Sequence, residues 1–496
     1  MFDSEFWIRA AQLVLSLAIL IVCHEGGHFL AAKMFGIRVE KFFLFFDIKY
    51  HLISTKDAWL QRLFPRLKNL ETEYGIGWLP FGGYVKIAGM VDESMDKEQL
   101  KQPVQPWEFR AKRPWQRLIV MLGGVIVNMI LAMIIYAGVM WSEGRDTIPM
   151  DRNFKDGFYF NKTACEMGFE HGDRLLRIDT TRIDVYSTAQ IIMDMAEART
   201  VTVERMGKET IIDMPEDFPL LSILQEYPPF LAPLREAVID SVVAGSPAEQ
   251  AGIVPGTRLT AIEDCDGVLT DISTWNQYDE LIGPRFDLYY SPDRTAADSA
   301  RMRNIAIQFM CPGDTACRMA RITLNDNMKM GFTRMIPNYD LDHQSFTLLE
   351  AIPEGCSLGW NTLVDYVGQL KYLFSKEGAQ SVGSFGTIGS LFDSSWDWVR
   401  FWMMTALISV ILAFMNVLPI PGLDGGHATF TIIEMITGHT FSEKFQERAI
   451  NIGFLLIMAL MLLAIYNDIM KFVFLIFLHC IARKGCNFAV QKKMRR

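Results

Sequence analysis

The chain has little cysteine, little histidine and no surplus of positive charge. Eight cysteines and eight histidines are spread over 496 residues, too sparse for a disulfide framework. Lys and Arg number 48 against 57 Asp and Glu, a net charge of -9, so composition gives no support to nucleic-acid binding. Charged residues make up only 21% of the chain and hydrophobic ones 50%, with 34 Phe and 28 Met. That balance fits a membrane protein carrying a sizeable soluble portion, and the length exceeds one ordinary domain. Gly383, Gly386 and Gly389 form a flexible approach segment, with nothing beside them to suggest phosphate binding.

Four apolar runs are long enough to cross a bilayer: about 10–32, 118–141, 401–418 and 450–466. The first lacks a strongly basic leading region and holds histidines in its core, so it is not expected to be a cleaved signal peptide. Only Arg9 precedes it, whereas Lys33 to Arg117 mark a strongly basic loop after it. The positive-inside tendency therefore predicts a cytoplasmic loop, an external amino terminus and an external stretch from about 143 to 395. A fourth crossing would also leave the basic end, Lys492-Lys493-Met494-Arg495-Arg496, outside. A further apolar piece at 472–481 leaves open a partial fifth segment.

Inside the first run lies His24-Glu25-Gly26-Gly27-His28. On a helix, histidines four apart share a face and can both ligate zinc, while the glutamate between them can act on water. Ionisable groups in hydrocarbon are costly, which marks them as functional. A catalytic zinc usually has three protein ligands. The third run ends in Asn416-Val417-Leu418-Pro419-Ile420-Pro421-Gly422-Leu423-Asp424-Gly425-Gly426-His427. Asp424 is the natural third ligand, since both runs head inward and place these residues at similar depth. Pro419 and Pro421 break the helix and free backbone groups beside a cavity, and Asn416 could clamp substrate or donate to a scissile carbonyl.

HExxH in the first span with NxxPxPxLDG in a later one resembles the site-2 protease family of intramembrane zinc metalloproteases, in its bacterial branch. The resemblance covers nearly the whole chain in order. It implies zinc on His24, His28 and Asp424, Glu25 as general base and acid, and Asn416 in contact with substrate; His427 is treated as structural. It also implies that the glycine-rich stretch 75–89, with Gly82-Gly83-Tyr84, forms a membrane-dipping β-hairpin beside the site, able to pair with an unwound substrate. Gly123, Gly124 and Asn128 are read as allowing close helix packing.

The external stretch contains two α/β modules. Strand-like 237–243, then Ser246-Pro247-Ala248-Glu249-Gln250-Ala251-Gly252, then Pro255-Gly256-Thr257-Arg258-Leu259, resembles bacterial PDZ domains. An earlier, degenerate copy runs from Ala164 through Gly172-Asp173 to the alternating 200–204, and Pro228-Pro229 marks the joint. Such modules either capture extended peptide by strand addition or act as a steric filter. Cys311 and Cys317 bracket a turn and could be bonded or free. Residues 358–374 look amphipathic and suited to the outer membrane face.

The expected architecture is a polytopic α-helical membrane protein with about four spans, a membrane-associated hairpin and two inserted α/β PDZ-like domains. The divisions are 1–142, 143–228, 229–345, 346–399 and 400–496. The expected activity is zinc endopeptidase cleavage of transmembrane segments of single-span proteins, such as anti-sigma factors or remnant signal peptides. The substrate-binding set is Asn416, Pro419, Pro421, Gly82, Gly83 and Tyr84, and the setting is the bacterial inner membrane with the modules periplasmic. One rival is a membrane-anchored zincin acting on soluble proteins, which needs a downstream Glu or His ligand that the chain does not obviously offer. The other is an inactive PDZ-bearing adaptor, which Glu25→Gln would leave functional.

Overall fold

The computed structural model describes residues 4–80, 82–90, 103–226, 228–291, 295–325, 328–335, 338–373 and 383–493. It divides into one unit of residues 1–144 with 345–496 and a second of 145–344. Among the described residues, four helices are long and apolar enough to cross a membrane, so the chain is a polytopic membrane protein.

In the first unit these helices are α1 (Ser4–Met34), α2 (Pro114–Glu143), α4 (Trp398–Val417) and the first half of α6 (Glu443–Lys493), spanning over Lys444–Met470. The backbone of residues 472–481 continues α6 without a break. Between them lie α3 (Leu348–Leu373) and α5 (Asp424–Thr437). The helices bury small residues and expose Ile130, Ile134, Ile452 and Leu455, the pattern of helices solvated by lipid. The α1–α2 crossing is set by glycine: a Cβ on Gly27 would sit 2.2 Å from the Gly123 carbonyl oxygen. No larger residue permits that approach.

The helix α3, whose sequence looks amphipathic, packs one side against two spanning helices. Gly355 and Gly359 press against Ala137 and Met133 of α2, and Tyr366 meets Phe414 of α4 edge-on at 5.7 Å. A Gly-x-x-x-Gly seam lets backbones nest, so α3 runs alongside two spanning helices. Farther along, the short helix Phe385–Ser390 is tied to α6 by Asp468. That carboxylate accepts from the Ser384 and Thr387 amides, both at 3.1 Å, and from both hydroxyls.

After α1 come four strands, β1 (Val39–Leu44), β2 (Phe46–Ser54), β3 (Glu73–Leu79) and β4 (Tyr84–Ile87). They form one sheet in the order β2-β3-β1-β4. The 75–89 stretch is therefore not a two-stranded hairpin: β1 lies between β3 and β4, parallel to the former and antiparallel to the latter. Phe43, wholly buried on β1 and stacked on Tyr84 at 5.6 Å, holds the intervening strand in place.

The second unit holds two modules of similar plan. In the first, β7 (Arg174–Ile178), β8 (Thr181–Arg182), β9 (Thr200–Arg205) and β10 (Lys208–Asp213) form a sheet, with the helix Thr188–Glu197 between β8 and β9 in the chain. A ribbon pairs β6 (Phe158–Phe160) with β11 (Leu231–Pro233), so that module's fold takes in residues beyond Pro228-Pro229. In the second, β13 (Arg258–Glu263), β14 (Leu269–Asp271), β15 (Asn304–Met310) and β16 (Arg318–Thr323) form the sheet. Its ribbon pairs β12 (Ile239–Val242) with β17 (Phe332–Arg334), and its long helix is Trp275–Tyr290. Entry strand β5 (Arg145–Thr147) pairs with exit strand β18 (Asp342–Gln344), as expected of an inserted unit. Cys311 and Cys317 are both free thiols.

Candidate metal centre

His24 and His28 occupy one face of α1, a turn apart, with their Nε2 atoms 3.3 Å from each other. The break between α4 and α5 brings in the third group. Pro419 and Pro421 end the helical hydrogen bonding, and the chain turns through Leu418–Leu423 before restarting at Asp424. Gly453 of α6 lies so close under Pro421 that a Cβ there would overlap its carbonyl, which fixes the turn against that helix. Asp424 is thus the first residue of α5, where amide dipoles favour a carboxylate. Its Oδ2 lies 3.1 Å from His24 Nε2 and 3.3 Å from His28 Nε2.

The three donor atoms lie within 4.8 Å of one another, and their surroundings suit a metal. Asp424 Oδ2 is buried with no hydrogen-bond partner. His28 Nδ1 is 2.8 Å from the Val120 carbonyl oxygen, which makes Nδ1 the protonated nitrogen and leaves an Nε2 lone pair facing the cluster. Gly124 closes the floor: a Cβ there would stand 2.5 Å from His28 Nε2 and 2.6 Å from His24 Cε1. Two imidazole nitrogens and a carboxylate oxygen on three sides match a catalytic zinc set with a position left open.

Glu25 lies beside the cluster, within electrostatic reach of His24, His28 and Asp424 and near the Val85 backbone of β4. That proximity sets the catalytic-type glutamate beside the strand carrying Tyr84. Gly83 abuts Ile21 of α1, where a Cβ would come within 2.6 Å, and Tyr84 donates to Asp47 at 3.0 Å. Gly82 packs on the Phe46 ring. Asn416 is buried, with Nδ2 3.5 Å from His24 Nε2. The structure thus gathers His24, His28, Asp424, Glu25 and Asn416 around one point and lays Gly83 and Tyr84 along its edge. His427 stands on α5 outside the donor cluster.

Two contributions exceed the packing role that the sequence suggested for α2. Gly124 is the floor of the site. Asn128 sits one turn on, wholly buried, with its amide 3.2 Å from His24 Nδ1. Its Oδ1 has no partner, and turning the amide through 180° would bring that oxygen to a protonated Nδ1. That pairing releases His24 Nε2 for a metal. Ser409 of α4 donates to the Asn128 backbone carbonyl at 2.8 Å, and Arg117 on α2 reaches Glu434 on α5 at 2.5 Å. The signal was available: a lone asparagine in an apolar span needs a partner.

A buried histidine pair and an aspartate brought together by a broken membrane helix define a membrane-embedded metal hydrolase. The chain belongs to peptidase family M50, whose model matches residues 12–460. It is a zinc metalloprotease. It is 26% identical to the regulator of sigma-E protease RseP of Escherichia coli K12, over 92% of this chain and 97% of that protein. A putative zinc metalloprotease of Clostridium perfringens is 27% identical over 92% of this chain and 97% of its own length. A putative zinc metalloprotease of Neisseria meningitidis is 25% identical over 92% and 98% respectively.

Proposed function

We propose that this protein is an intramembrane endopeptidase that cuts the transmembrane segments of single-span proteins, with His24, His28 and Asp424 as its zinc ligands. The observation that carries the ligand set is Asp424 Oδ2, buried and unpartnered between two imidazole nitrogens. When bound, zinc supplies Lewis acidity that acidifies water and polarises a scissile carbonyl. Glu25 takes the proton from the attacking water and later delivers it to the leaving amine. Asn416, on the opposite side of His24 from Asn128, is placed to donate to the substrate backbone. Pro419 and Pro421 keep the neighbouring backbone free of helical bonding. A helical substrate hides its peptide bonds, so it must be unwound. Strand β4, the edge of the sheet nearest Glu25, offers its free side to the unwound segment.

The basic loop after α1 supports a cytoplasmic placement for the sheet and a periplasmic one for residues 145–344, in a bacterial inner membrane. Relatives named as regulators of sigma-E favour anti-sigma-factor-like substrates, with remnant signal peptides as a second class. The two modules are read as PDZ-like. In the second, a cleft of about 830 Å³ lies between β17 and the helix Trp275–Tyr290, lined by Tyr278, Ile282, Phe286, Met330 and Phe332. Arg334 crosses it to Asp279 with bonds of 2.7 and 2.5 Å and stacks over Trp275. That tie narrows the cleft and favours a steric filter over an open peptide groove.

The test is metal analysis of purified protein and of Asp424→Ala, beside cleavage of a single-span substrate in vesicles. About one zinc per chain is expected, falling sharply in the variant together with cleavage. Unchanged zinc in the variant would remove Asp424 from the site. Zinc without any cleavage of membrane segments would remove the substrate class.

A further inference from the structure

On β2 and in its link to β3 the chain carries apolar surface that the described residues leave more than half exposed. Ile48, Tyr50 and Leu52 in the middle of β2 are 54%, 58% and 65% exposed. The helix Ala58–Leu63 that follows buries none of its residues. On it Trp59 and Leu63, one turn apart, are 57% and 64% exposed, with Phe64 beside them at 54%. A run of large apolar side chains this dense marks an interaction surface.

Charge identifies the occupant. From 48 to 70 the sequence holds Lys49, Lys56, Arg62, Arg66 and Lys68 against one acid, Asp57, in a chain whose overall charge is -9. Asp57 is already bonded to His51 at 2.8 Å, and Lys56 pairs with Glu73 at 3.2 Å. Among the described residues Lys49, Arg62, Arg66 and Lys68 have no ion-pair partner. Aromatic and aliphatic side chains interleaved with unneutralised Lys and Arg are the composition that lies in a membrane–water interface. The position agrees, because α1 leaves the membrane at Met34 and the sheet starts at Val39.

We infer that residues 48–70 are an interfacial anchor, seating Trp59, Leu63 and Phe64 among lipid acyl chains while Lys49, Arg62, Arg66 and Lys68 bind anionic headgroups. The occupant is an anionic lipid leaflet. Seated, the anchor fixes the depth and tilt of β2, and through the sheet those of β4 beside Glu25. This rests on the membrane placement proposed above and adds a lipid requirement to it.

The experiment uses the full-length protein with photoreactive benzoylphenylalanine replacing Leu63, in nanodiscs of phosphatidylcholine with or without phosphatidylglycerol. A second sample carries the probe at Met206, which is 96% exposed in the first module, as the water-facing reference. Lipid adducts are expected at 63 but not at 206, and more of them with phosphatidylglycerol. Each interfacial cation is worth about fivefold in anionic-lipid affinity. Arg62→Gln/Arg66→Gln/Lys68→Gln, and the harsher Arg62→Glu/Arg66→Glu/Lys68→Glu, should therefore cut adducts at least about fivefold. Adducts at 63 no more frequent than at 206, independent of phosphatidylglycerol, or formed with a second copy of the chain would each overturn the anchor. Hydrolysis is not the readout, so failure leaves the peptidase reading standing. A lipid-seated protein that cleaves nothing would remove the peptidase reading alone.

Discussion

Polar groups are buried in both units, and two residues from each stand on opposite terms. In residues 145–344, Asp173 is 1% exposed and bonded to Arg205 through both its oxygens, at 2.8 and 2.7 Å. Arg285 is 2% exposed and donates to the carbonyls of Asp264, Met302 and Asn304. In the membrane unit Asp424 Oδ2 and Asn128 Oδ1 have no hydrogen-bond partner. Burying an unsatisfied polar atom costs about 1–3 kcal/mol, and these two atoms stand beside two histidines. At these positions satisfied burial holds a module together, and unsatisfied burial beside the histidines marks where something else is bound.

The sharpest way to break this contrast is Glu25→Gln. General acid–base groups contribute about 10²–10⁴-fold, so cleavage of a reconstituted single-span substrate should fall by that factor with zinc content unchanged. Undiminished turnover would return Glu25 to the satisfied, structural class. Next in size is Arg285→Met in the second module. It removes the donor to the buried Met302 carbonyl and to the part-buried Asp264 and Asn304 carbonyls, and should cost about 1–3 kcal/mol of that module's stability. The readout is hydrogen exchange of the 264–304 segment, with zinc content held as the control. Exchange no faster than wild type would show that the carbonyls find other partners.

Asn128 tests the boundary between the two classes. If it orients His24, Asn128→Leu should weaken zinc binding about 10–100-fold, the usual effect of losing the group behind a ligating imidazole. Asn128→Asp keeps an acceptor for Nδ1–H and should hold affinity near wild type. Equal loss in both variants would make Asn128 a packing residue, and competition with a chelator of known affinity distinguishes the cases.

How much of this was legible beforehand follows the range of the interactions. The four spans were visible because apolar length is a local property, and α1, α2 and α4 extend the runs by a few residues at most ends. The meeting of His24, His28 and Asp424 was legible because hydrocarbon leaves few ways to satisfy such groups. The insertion of β1 between β3 and β4 was not, since strand order depends on pairing between segments far apart in sequence. Asn128 was read as packing because the glycines beside it explain close approach unaided. The helix partners of α3 were not legible for a related reason: amphipathicity gives an exposed face, while the Gly355–Gly359 seam decides which helices it joins.

The smallest expected effect lies in the satisfied unit, at a surface acid. Asp179 of the first module, with backbone φ of 49°, accepts from the Thr200 and Arg199 amides at 2.9 and 3.0 Å. Those bonds, the Thr200 amide foremost, hold its carboxyl below the usual aspartate range. A folded value below the unfolded one, near ~3.9, gives stabilisation that is complete above that pH and lost as pH falls through the folded value. The Arg199 and Thr200 amides should therefore exchange faster as pH drops below about 4, after correction for intrinsic rates. Asp179→Asn should flatten that dependence, because its amide oxygen still accepts but cannot titrate. The same acid slope in the variant would place the titrating group elsewhere in the module. It would also show that even a bonded carboxylate, where solvent reaches it, contributes little that pH can remove.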